Sequence, residues 1–157
     1  MIGFSDRSSF YDPMFNKDNS KYRLIVLDDD PLFCSLIESI AKRKNINLFA
    51  YHEPDAFFTA IDEEKPDAVL VDFNLENELD GVDVITKLNK SFPTILISCD
   101  DPWSASTIGY KKISSYLKNN EDLQFVHKNQ GPRFILSNIV RLIRQQGHSF
   151  SDETRIA

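Results

Sequence analysis

Sulfur and positive charge are both scarce in this chain. Its two cysteines, Cys34 and Cys99, lie far apart and form no CxxC pair, so no disulfide framework is expected and a reducing compartment is favoured. Lys and Arg number 18 against 24 Asp and Glu, a formal net charge of −6. Nucleic acid and anionic membranes both demand a basic surface, so neither is expected as the main partner. Residues 1–7 lack the basic and then apolar run of a signal peptide. The longest uncharged apolar stretch, 92–99, is far too short to span a bilayer. A cytoplasmic protein with no membrane association and no direct DNA binding is expected. At 157 residues, with 41% hydrophobic and 27% charged side chains, the chain has the composition of one globular domain, long enough to bury a core without a staple.

What the chain does have is rhythm. Residues 1–20 place Phe4, Phe10, Tyr11 and Phe15 among Ser, Asp and Asn without a steady period, and read as an N-terminal arm. From 22 onward, short β-branched apolar runs at 22–27, 46–51, 68–71, 94–97 and 123–126 alternate with helical patterns at 31–41, 55–64, 82–90, 103–119 and 133–146. Three of the runs are almost continuously apolar, as expected of strands covered on both faces. Five β-α repeats imply a parallel sheet with helices on both sides, whose ligands bind beyond the carboxyl ends of the strands.

At those ends stand Asp28, Asp29 and Asp30, then Asp72 with Asn74, then Ser98, then Lys128. Each has an ordinary alternative: Asp30 as a helix N-cap before Pro31, Asp28 or Asp29 as a solvated loop acid, Asp72 as a turn residue, Ser98 as a strand-end hydroxyl, Lys128 as an exposed lysine. Their coincidence on one edge argues otherwise. Clustered carboxylates repel unless a hard cation sits among them, and Mg²⁺ takes one or two carboxylates, waters and phosphate oxygens. With no cluster of thiolates and histidines, zinc is not expected. An ammonium and a hydroxyl beside such a cation are equipment for phosphoryl transfer.

These segments resemble the receiver domain of two-component response regulators. RLIVLDDDP over 23–31 resembles its first strand and acidic pair; PDAVLVDFNL over 66–75, followed by Asp80 and Gly81, resembles its phosphoacceptor strand and loop. PTILIS over 93–98 resembles its switch-hydroxyl strand, and FVHK over 125–128 its last strand with aromatic and lysine. The resemblance implies a flavodoxin-like (βα)5 doubly wound sandwich with a five-stranded parallel sheet in the order 2-1-3-4-5, spanning 21–146, with 147–157 as a C-terminal tail. It implies Asp72 as the phosphoacceptor. Asp28, Asp29, Asp72 and the backbone carbonyl of Asn74 would hold Mg²⁺, Lys128 would contact the phosphoryl group, and Ser98 and Phe125 would act as the switch pair. It implies phosphoryl supply from a sensor histidine kinase or a histidine phosphotransfer protein, and self-phosphorylation and self-dephosphorylation rather than turnover catalysis.

The chain departs from the family where Asn129 replaces the usual proline after the lysine, where a trans connection and a shifted loop are expected. The acceptor loop at 76–79 is one residue longer than usual, and Cys99 stands where a smaller residue is common. Asp100 lies where the family tunes phosphate lifetime and is expected to repel small anionic donors. With only eleven residues beyond Gln146, signalling is expected through the receiver's own surface, the helix 4, strand 5 and helix 5 face, toward an unspecified protein or a second copy. Arg133, Arg141 and Arg144 form a basic stripe on the last helix, read either as a solvated face or as a docking patch; Trp103, Tyr110 and Tyr116 dress the fourth. The alternatives are a phosphate-independent pseudo-receiver interaction module and a haloacid-dehalogenase-like phosphatase using Asp28; the latter lacks further acids, since 129–151 contains no Asp or Glu.

Overall fold

A computed structural model describes residues 22–76, 78–88, 92–99, 108–119 and 123–153. The arm at 1–20, Trp103 and Asp100 lie outside the described residues. Strands β1 (Arg23–Leu27), β2 (Asn47–Tyr51), β3 (Ala68–Asp72), β4 (Thr94–Ser98) and β5 (Leu123–His127) alternate with helices α1 (Pro31–Arg43), α2 (Pro54–Glu64), α3 (Gly81–Leu88), α4 (Ile108–Asn119) and α5 (Pro132–Glu153). All pairings are parallel, in the order β2-β1-β3-β4-β5, the flavodoxin-like sandwich expected from the resemblance.

The β-branched runs become strands because both faces are covered. β3 and β4 are buried at every position, whereas β2, on the edge, is only partly covered. Alternation divides the core in two. Leu24, Val26, Leu70 and Ile95 join Ile37 of α1 and Ile135 and Ile139 of α5 on one side. Ile25, Val69, Val71 and Leu96 meet Phe57 of α2, Val84 of α3 and Ile113 of α4 on the other.

Helix starts follow local chemistry. Asp30 caps α1, its carboxylate accepting from the N–H groups of Leu32 and Phe33, with Pro31 in the first turn. α2 starts one residue earlier than its periodicity suggested, at Pro54. α5 continues past 146 to Glu153; the single Gly147 lowers helix preference by about 1 kcal/mol but supplies no stop. After β5 a single 3₁₀ turn, Lys128–Gln130, replaces the usual Lys-Pro connection; the His127 side chain caps it by accepting from the N–H of Asn129 at 3.1 Å. No cis peptide bond occurs among the described residues.

Candidate phosphoacceptor site

The parallel register sets the site. β1 and β3 lie side by side, with Leu27 opposite Val71, so the residues that follow, Asp28 and Asp72, emerge together at the same sheet edge. Both are buried, at 0% and 3% exposure. β4 brings Ser98, also buried, to this edge, and the turn after β5 brings Lys128. Asp28, Asp29 and Asp72 each place a carboxylate oxygen within 4.8 Å of the others.

The Lys128 ammonium sits 2.6 Å from Asp28 Oδ2 and 3.1 Å from Asp72 Oδ2, its side chain only 9% exposed. The exposed-lysine alternative is therefore wrong. Asp28 Oδ1 accepts from the N–H of Asp30 and Asp72 Oδ1 from that of Asn74, while Asp29 Oδ2 accepts from the N–H of Glu76 in the acceptor loop. Asp28 Oδ2 has the ammonium for a neighbour but no aligned hydrogen-bond donor. Asn74 Nδ2 donates to Ser98 Oγ at 2.9 Å, joining the loop after β3 to the end of β4.

Electrostatics follow from this crowding. Burial, reinforced by the neighbouring Asp28 charge, pushes the Asp72 carboxyl up to about 7 against the opposing pull of Lys128 and the Asn74 N–H. For Lys128, burial acts to lower the pKa, yet the Asp28 and Asp72 carboxylates outweigh it and hold the ammonium above its ordinary value. Three carboxylates against one ammonium leave the pocket short of positive charge. The oxygen-only donor set and its spacing fit a hard divalent cation. Cys34 is no competing nucleophile: burial, then the Asp28 charge, pushes its thiol up to about 12.

A family model for the response regulator receiver domain matches residues 24–108. The chain belongs to the response regulator receiver family. Among solved structures, this receiver is similar to the receiver domain of the Francisella response regulator 1452, at 17% identity over 80% of this chain and 99% of the other, TM-score 0.64. A CheY-like receiver domain protein from Methanospirillum hungatei aligns at 17% identity over 82% and 98%, TM-score 0.67. The BeF3-activated receiver domain of Klebsiella pneumoniae RstA aligns at 22% identity over 78% and 98%, TM-score 0.64. These likenesses support the fold. A comparison with curated proteins gives no match.

Several contacts around this receiver's acidic pocket were not read from the sequence. His52, one residue past β2, has Nδ1 2.9 Å from the Asp28 carbonyl oxygen; its position at a strand's carboxyl end was the available signal. Gly81 starts α3 hard against the end of β3: a Cβ there would fall 2.4 Å from the Asp72 carbonyl oxygen and 2.8 Å from Phe73 Cα. Its N–H donates to the Phe73 carbonyl at 3.0 Å. Phe33, with its ring centroid 4.6 Å from the Lys128 ammonium, had no sequence signal at all. Phe125 is partly buried against the α3/α4 side of the core, and Cys99 is exposed. The basic stripe divides: Arg144 Nε donates to the Tyr22 hydroxyl at 3.2 Å and its guanidinium lies over that ring, while Arg141 binds Asn138.

Proposed function

We propose that this receiver accepts a phosphoryl group on Asp72 and signals by a conformational change of its own surface, as a cytoplasmic protein in a phosphorelay. The observation that carries the reading is the Lys128 ammonium spanning Asp28 and Asp72 beside Asp29 on one sheet edge. Mg²⁺, held by Asp28, Asp29, Asp72 and the carbonyl of Asn74, would supply neutralisation of the acids and of the phosphoryl oxygens. An Asp72 oxygen forms the new P–O bond as the P–N bond of a phosphohistidine donor breaks, and Lys128 turns to an oxygen of the transferred group. The donor is a sensor histidine kinase or a histidine phosphotransfer protein. Ser98 leaves Asn74 to donate to the phosphoryl group, and Phe125 moves into the space beneath. A charge acts as a signal only if some element binds it differently in two states, and Ser98 and Lys128 are the two groups placed to do so. The altered α4/β5/α5 face then meets a protein target or a second copy. The protein modifies itself and is no turnover enzyme. Among the described residues no helix is long and apolar enough to cross a membrane.

Treatment with acetyl phosphate and Mg²⁺ followed by mass spectrometry tests the reading. Wild type is expected to gain one phosphoryl group on Asp72, and Asp72→Ala none. Unlabelled wild type that also fails to bind beryllofluoride with Mg²⁺ would instead establish a phosphate-independent interaction module.

A further inference from the structure

Lys128 has a third neighbour that is not an acid. Its Nζ lies 4.6 Å from the centroid of the Phe33 ring, within the range where an ammonium is attracted to a ring face, and the attraction grows when water is excluded. Water is excluded here: the Lys128 side chain is 9% exposed. The ring is fixed by the same loop that carries the acids. Asp30 accepts from the Phe33 N–H in capping α1, and Phe33 packs partly buried against the core, whereas its neighbour Leu32 is 81% exposed. On the other side, Lys128 opens a 3₁₀ turn continued by Asn129 and held by a His127 cap.

We infer that Phe33 is a positioning residue for Lys128, its ring face keeping the ammonium at the acceptor carboxylate when the carboxylates themselves are engaged elsewhere. The inference rests on the phosphoacceptor reading above. Asp28 and Asp72 hold the ammonium only while their charge is available to it. A carboxylate shared with a divalent cation attracts it far less. The ring carries no charge for a metal to neutralise and forms no bond with phosphate, so its pull on the ammonium persists through the cycle. It therefore keeps Lys128 within reach of the incoming phosphoryl oxygen.

The test compares wild type with Phe33→Leu, which keeps apolar bulk but removes the ring, and Phe33→Tyr, which keeps it. Proton NMR of the Lys128 ε-methylene reports the ring directly, without any phosphoryl chemistry. Wild type is expected to show these protons displaced upfield, with the displacement surviving Mg²⁺. Phe33→Leu should lose it and bind beryllofluoride about tenfold more weakly, with Phe33→Tyr restoring both. Undisplaced Lys128 protons in wild type, unweakened beryllofluoride binding by Phe33→Leu, or a Phe33→Tyr protein as weak as Phe33→Leu would each overturn the inference. If wild type binds no beryllofluoride, the phosphoacceptor reading fails separately, and the shift in the presence of Mg²⁺ decides for the ring if it persists and against it if it collapses.

Discussion

At the scale of single residues, Asp72 carries the tension of the site. A carboxyl held up to about 7 in the folded chain, against an ordinary value near 4 when unfolded, keeps its proton in the native state while the unfolded chain has already released its own. The contribution of Asp72 to stability is thus fully present below about pH 4 and declines as pH rises to about 7. Without metal, Asp72→Asn removes that loss. Thermal unfolding in chelator should show the variant more stable than wild type at pH 8, by on the order of 2 kcal/mol, with the advantage shrinking toward pH 4. Gly81 stands at the opposite extreme, a residue defined by what it lacks. Since a Cβ would strike the backbone of Asp72 and Phe73, Gly81→Ala should cost about 1–3 kcal/mol in denaturant unfolding and weaken beryllofluoride binding by displacing Asp72.

At the scale of elements, α4 is tied to the acceptor loop. Asp80 and Asp83 form a reciprocal cap at the start of α3, each carboxylate accepting the other's N–H. Lys112 from α4 binds both, at 2.5 and 2.7 Å, and these bonds hold the Asp83 carboxyl below its usual range. The three side chains are substantially exposed, so Lys112→Met should change global stability by less than about 1 kcal/mol. Amide hydrogen exchange within α4 should nevertheless accelerate, because one of its holds on the α3 end is gone. Unaltered exchange there would show that Ile113 and the core beneath it fix the helix unaided. The edge strand β2 shows another local device: Glu38 on α1 accepts the Ala50 N–H at 3.1 Å, occupying an edge donor otherwise open to a foreign strand.

At the scale of the whole molecule, strands remote in sequence place three acids and one ammonium in one pocket, and their imbalance links the site to the stability of the fold. A cation that binds the native chain alone stabilises it by mass action. It must displace the Asp72 proton to do so. Mg²⁺ is therefore expected to raise the melting temperature at pH 8 and to do so much less at pH 5.5, with Asp72→Ala reducing the effect at pH 8. Equal shifts at both pH values would show that Asp72 takes no part in the binding. The start and end of the described domain are joined by Arg144 and Tyr22, so α5 closes over the beginning of β1.

The sequence by itself determined the alternation of strands and helices, the two-sided burial of β3 and β4, and the arrival of Asp28, Asp29, Asp72, Ser98 and Lys128 at one edge. Period and β-branching state which faces are buried, and a parallel sheet brings all strand ends to one side. Only the tertiary structure decided that Lys128 is enclosed between Asp28, Asp72 and the Phe33 ring, that Lys112 reaches Asp80 and Asp83, and that Gly81 touches the backbone of Asp72. Those contacts join elements whose side chains meet at distances set by packing, and no pattern along a single element records which neighbour from another will fill the space before it.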